Sequence, residues 1–276
     1  MNAIEINNLT KNYKGFTLGP LSLELPQGCI LGLIGENGAG KTTTIKAMLE
    51  MNRPDSGTIR LLGQEISAEQ RNEIGVVLDE VGLPEGLNTR QIGKIMQNSF
   101  RSWQSDVYAD YLKKFNLPEN KKFKTFSKGM KMKLGLAIAL SHQAKLLILD
   151  EPTAGLDPLV REELLEILND FTREDDHAIL ISSHIVSDLE KICDYIAFIH
   201  KGKMMLCEEK DRLLEQYGFL QTTEEKLGEL DPDAVKGKKI TKYGAEAIVD
   251  RTLVPQTFDV RPVTIEELFV YMAKEE

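Results

Sequence analysis

Residues 29–42, CILGLIGENGAGKT, decide the fold of this chain. The apolar run before Gly35 reads as a strand and the run after Thr42 favours helix, so Gly35 to Thr42 is a glycine-rich strand-to-helix loop. Such a loop curls its N–H groups around phosphate oxygens, which demands positive φ and no Cβ in the way; Gly35, Gly38 and Gly40 supply both. Asn37, Ala39 and Thr43 complete the candidate cradle. The helix that follows adds unpaired amides and the positive end of its dipole. Lys41 adds a full charge, and Thr42 brings a hydroxyl to the place where Mg²⁺ would bridge β- and γ-phosphates. A chance glycine loop is the plain alternative, and the strand and helix flanks argue against it.

Upstream, residues 3–9 and 16–25 alternate apolar and polar and read as antiparallel strands, the second closed by the turn Pro26-Gln27-Gly28. Downstream, residues 58–62, 74–78, 145–150 and 178–183 read as strands, the last two apolar enough to be buried on both faces. Residues 88–141 turn helical, with Asn88 or Thr89, Ser105 and Ser127 as caps, and Pro158 opens a further helix. This alternation predicts an α/β fold: a P-loop core with a mostly parallel sheet, an antiparallel β subdomain and a helical insertion over about 88–141. Residues 195–200 and 204–207 read as a hairpin. Past Tyr217 the pattern weakens until an amphipathic helix near 264–274, so a domain over 1–217 and a small C-terminal extension over 218–276 are expected.

At 276 residues and 42% hydrophobic, the chain can bury a full core. Its net charge of -9 argues against nucleic acid as the main partner. No apolar run approaches the roughly 18 residues of a membrane span, and no secretory signal is visible. A soluble chain is expected, linked to any membrane through a partner. Cys29, Cys193 and Cys207 lack metal-ligand spacing and fit buried thiols in a reducing compartment.

Asp150 and Glu151 end an apolar strand at the edge where open α/β sheets place ligands. Asp150 reads as a holder of Mg²⁺, and Glu151, one step on, as the group that polarises an attacking water. Capping of the helix at Pro158 is the structural alternative. His184 follows the next strand and would project beside Glu151, with a hydrogen bond to the γ-phosphate as its role. Ser127 and Gly129 open a helix and so offer a hydroxyl, amides and a dipole to a second anion. Pattern alone leaves two readings: an ordinary serine cap, or an end that meets the nucleotide of a second subunit head-to-tail.

Taken in order, these motifs make residues 1–217 resemble the nucleotide-binding subunit of ABC transporters. GENGAGKT is similar to the Walker A motif, and LLILDEP at 146–152 to Walker B with its catalytic glutamate at Glu151. Phe126 to Met130 resembles the signature, Ala154-Gly155-Leu156-Asp157 the D-loop, and His184 the switch histidine. Tyr13 falls where the family places an aromatic ring that stacks on adenine, packing being the alternative. Two features depart from the pattern: Lys128 and Met130 within the signature, and Asp79-Glu80 where a glutamine is expected. The resemblance puts Asp79 beside Mg²⁺ with Thr42 and Asp150. It implies an ATPase that uses ATP and Mg²⁺ and pairs as a homodimer or with a paralogous cassette. It also implies an integral membrane permease as partner, and so a place on the inner, cytoplasmic face of the cell membrane. The tail after Tyr217, ending in residues 262–269, resembles the closing segment of exporter-type cassettes that pair with a separate permease, a dimer-supporting or regulatory appendage or a cover for the sheet edge being the alternatives. The competing class, a soluble ABC ATPase of nucleic-acid repair or translation, usually brings a second cassette or a long coiled-coil insertion. A guanine-reading Asn-Lys-x-Asp run, expected of a GTPase, is missing as well.

Overall fold

Alternation builds the first sheet. Leu21, Leu23 and Leu25 of β2 (Phe16–Pro26) face inward while Ser22 and Glu24 face water, and they pair with Leu9, Ile6 and Ile4 of β1 (Asn2–Tyr13). Leu9 lies three positions after Ile6, which would put them on opposite faces. A bulge at Asn8, whose φ is +50°, restores the phase and keeps both inside. This chain segment continues into β3 (Ile30–Ile34), α1 (Lys41–Met48) and β4 (Ser56–Leu61), the last of which returns to the other edge of β1.

In this computed structural model, residues 1–274 are described. After β5 (Ile74–Val77) come three helices, α2 (Thr89–Ser99), α3 (Ser105–Lys114) and α4 (Lys128–Ala139). Asn88 caps α2 in a reciprocal box with Gln91, and Ser127 caps α4 by accepting from the Met130 N–H at 3.2 Å. The cap expected of Ser105 is not made: Gln104 holds that position without a side-chain bond, and Ser105 is the first helical residue.

Strands and helices then alternate through β6 (Leu146–Asp150), α5 (Pro158–Phe171), β7 (Ala178–Ser183), α6 (Val186–Ile192), β8 (Tyr195–His200) and β9 (Lys203–Glu209). The six-stranded sheet runs β5-β6-β7-β3-β8-β9, with parallel pairing from β5 to β8. Every residue of β3, β6 and β7 is buried, because the first sheet and α1 cover one face and α6 packs on the other. Truncating a residue of that core such as Ile148 to Ala would cost about 2–5 kcal/mol. Among the described residues no helix is long and apolar enough to cross a membrane.

The chain divides into two compact units between Cys207 and Glu208, earlier than the weakening of pattern at Tyr217. The second unit has its own sheet. It follows α7 (Lys210–Gln216) and comprises β10 (Tyr217–Thr222), β11 (Val235–Thr241), β12 (Gly244–Asp250) and β13 (Val260–Pro262), ordered β11-β12-β10-β13. Its core gathers Leu220, Ala245, Ala247 and Val249 with Leu227 of α8 (Glu224–Leu227). Helix α9 (Ile265–Met272) is capped by a box between Thr264 and Glu267.

Candidate nucleotide site

Strand register lines up three exits at one edge of the sheet. Asp150 lies opposite Ser182, and Ser183 opposite Ile34, so the chain leaves β6, β7 and β3 side by side at Glu151, His184 and Gly35.

The cradle follows from its glycines. Gly38 and Gly40 take φ of +82° and +117°, and Gly40 serves as the N-cap of α1 without a side-chain cap; Gly35, expected to share the positive φ, does not take it and is needed for space instead, since a Cβ there would lie 2.6 Å from the Ile199 carbonyl oxygen. Asn37 and Gly38 form the exposed apex; Ala39 is buried, and its carbonyl accepts the Gly202 N–H at 2.9 Å. Thr43 is half-buried in the first helical turn. Lys41 is only 5% exposed, and a buried ammonium must be paired. Its Nζ donates to the Gly35 carbonyl at 2.7 Å and the Glu36 carbonyl at 3.3 Å, and lies 3.2 Å from Glu151 Oε1.

Two hydroxyls fix Asp150. Thr42 Oγ1 donates to Oδ2 at 2.8 Å and Ser182 Oγ to Oδ1 at 2.5 Å. Ser182 was not anticipated; the signal for it was a pair of serines ending an otherwise apolar strand, each fully buried.

Glu151 sits at φ +51°, a left-handed conformation that costs about 1–2 kcal/mol for a residue with a side chain. Its N–H holds there on the Ser182 carbonyl at 3.1 Å. The carboxylate is thereby turned between two partners: Oε1 toward Lys41, and Oε2 toward His184, whose Nδ1 lies at 2.7 Å and whose N–H donates at 3.3 Å. Direct contacts therefore join Lys41 to Glu151, Glu151 to His184, and Thr42 to Asp150.

Tyr13 belongs to this neighbourhood through a residue the motifs did not mark. Its ring, 42% exposed, lies 6.5 Å from that of Phe16, and a Cβ added to Gly40 would come 3.3 Å from Phe16 Cζ. The Tyr13 hydroxyl accepts from Asn52 Nδ2 at 3.1 Å.

Ser127 and Gly129 form a separate end. Ser127 and Lys128 are exposed at the start of α4. That turn rests on the loop before α5: Gly129 faces Leu156, and the Lys128 stem faces Gly155. Asp157 in that loop caps α5, accepting from the Val160 N–H at 3.1 Å. Asp79 is placed with this end, where its Oδ1 takes Lys128 Nζ at 2.7 Å.

A phosphate cradle with a buried lysine, beside a carboxylate fixed by the cradle's own threonine, defines the P-loop nucleoside triphosphatases. Comparison with known proteins carries this further. A family model described as ABC transporter matches residues 18–154. The lantibiotic transport ATP-binding protein SrtF of Streptococcus pyogenes is 39% identical over 75% of this chain and 91% of its own. The ABC transporter ATP-binding protein YtrB of Bacillus subtilis (strain 168) is 29% identical over 97% of both chains, a match that includes the second unit. A solved structure of an ATP-binding subunit of an ABC transporter superposes with a TM-score of 0.71 at 28% identity, covering 78% of this chain and 92% of that one. The chain belongs to the ABC transporter family, as an ATP-binding subunit that hydrolyses ATP.

Proposed function

We propose that two copies of this chain, or one copy and a paralogous cassette, close on two MgATP and drive an exporter-type permease from the inner face of the cell membrane. The observation that carries this reading is the division of the site. Lys41, Thr42, Asp150, Glu151 and His184 serve a nucleotide on one cradle, whereas Ser127 and Lys128 sit exposed on a different turn, at the N-terminal end of α4. A second copy facing head-to-tail would bring that end to the γ-phosphate. The transport named for the relative from Streptococcus pyogenes supports coupling to a permease.

Thr42 Oγ1 and Asp150 Oδ2, 2.8 Å apart, are hard oxygen donors of the kind Mg²⁺ takes. Among the described residues no cluster of three His, Cys, Asp or Glu is assembled to hold a metal, which fits an ion that draws its other ligands from phosphate and water. When bound, Mg²⁺ would offset charge on the β- and γ-phosphate oxygens.

In the reaction, Lys41 leaves Glu151 for the incoming phosphates. Glu151, freed at Oε1, takes the proton of a water as that water's oxygen bonds to the γ-phosphorus and the bond to the bridging oxygen of ADP breaks. With Nδ1–H committed to Glu151, a neutral His184 has a lone pair at Nε2, so donation to phosphate goes with release from Glu151 or with a charged ring. Tyr13 offers its exposed face to adenine.

Glu151→Gln tests the reading. The amide cannot accept the proton, so turnover should fall by about a hundredfold or more, and ATP should convert the monomer to a stable dimer on size-exclusion chromatography. Undiminished phosphate release, or a monomer at saturating ATP, would count against it.

A further inference from the structure

The two departures from the family pattern, 49 residues apart, touch. Lys128 Nζ and Asp79 Oδ1 meet at 2.7 Å, with both side chains about half exposed. Lysine is a poor choice for the first position of α4, since the positive end of the helix dipole repels a cation there. Asp79 offsets that repulsion, while the lysine stem spans the loop at Gly155, where an added Cβ would lie 3.6 Å from Lys128 Cδ. Both residues line a groove of about 580 Å³ with Glu80, Leu83, Phe123 and Lys131. An exposed pair is weak, because water and salt screen it. A triphosphate brings several negative charges and is the stronger partner for an ammonium.

We propose that the Asp79–Lys128 pair is exchangeable: Asp79 holds the ammonium until ATP on a second copy takes it, which unties α4 from the loop after β5. Lys128 is thus a positioning residue for the trans phosphate, and Asp79 sets how much ATP is needed to recruit it. The proposal rests on the head-to-tail reading above. Its chemistry is that of ion exchange alone, with no bond made or broken.

The test is a double-mutant cycle in the Glu151→Gln background, reading the ATP concentration at half-maximal dimer by size exclusion with light scattering. Lys128→Gln should raise that concentration about tenfold, the loss of one charge-assisted contact. Asp79→Asn releases the lysine early and should lower it about threefold, a shift in the range of an exposed ion pair. In the Lys128→Gln background Asp79→Asn should have no effect. A fluorescent ATP analogue must bind each variant monomer as it binds the parent, since the cradle is untouched. Equal effects of Asp79→Asn in both backgrounds, or no shift from Lys128→Gln, would overturn the exchange. A Glu151→Gln protein that never dimerises with ATP overturns the head-to-tail reading first and the exchange with it.

Discussion

Asp150 is 2% exposed, and its position depends on two hydroxyls rather than on a cation. Removing one of them is therefore informative. Ser182→Ala leaves Oδ1 without its partner; on the proposed reading Asp150 holds Mg²⁺, and a metal ligand deprived of such support usually loses about 10–100-fold in affinity. We expect the Mg²⁺ concentration for half-maximal ATP hydrolysis to rise by that factor while the thermal midpoint moves little; an unaltered Mg²⁺ titration would show that Thr42 alone orients the carboxylate. The cradle residues were legible because their constraint is local: glycines, lysine and threonine must lie within one turn of chain. The role of Ser182 was not, since its partner is 32 residues away and only the β6–β7 register brings them together. The same holds for the contact of Asp79 with Lys128, which joins residues 49 apart in sequence.

At the level of elements, the helical insertion returns to the sheet through His142, just past the end of α4. Its ring is 1% exposed, stacks on Phe100 with centroids 4.1 Å apart, and lies with Nδ1 at 2.8 Å from the Asn72 carbonyl. Burial holds its pKa below the ordinary value, the carbonyl only partly opposing this. The unfolded chain then binds a proton below about pH 6.5 that the folded chain resists, so this contribution to stability is whole above that pH and shrinks as pH falls. Thermal midpoints measured from pH 7.5 down to 5.5 should decline more steeply for the parent than for His142→Gln; equal slopes would remove His142 from the account. The parallel strands were readable from their apolar runs. The second unit's sheet was not, because β12 packs with Ala245 and Ala247 while the edge strand β11 carries Lys236, Lys238 and Lys239. Alanine and lysine have low strand propensity, and edge lysines discourage pairing with other chains. Only the fold shows that such residues form a sheet.

Across the first unit, one turn ties β2, the strand that neighbours Tyr13, to the glycine cradle. Lys201 and Gly202 both take positive φ, as a two-residue hairpin turn requires. Gly202 donates its N–H to Ala39 in the cradle, and its carbonyl accepts from Gly19 in β2, the strand that also carries Phe16 beside Tyr13. A Cβ on Gly202 would overlap the Thr17 carbonyl, so Gly202→Ala should loosen this joint and cost about 1–3 kcal/mol in chemical denaturation, with nucleotide affinity falling alongside. On the reading proposed above, the Tyr13 face offered to adenine and the cradle for phosphate are thereby held at a set separation, as the jaws of a caliper are once locked. ATP and ADP are identical over the length that such jaws span. A single copy should therefore bind ATP no more than about tenfold tighter than ADP, the share left to the γ-phosphate contacts proposed for Lys41 and His184, measurable by calorimetry on the monomer. Telling fuel from spent product then falls to the contacts beyond the jaws, and on the head-to-tail reading a cycle that must shed ADP depends on parting the two copies rather than on opening the cradle.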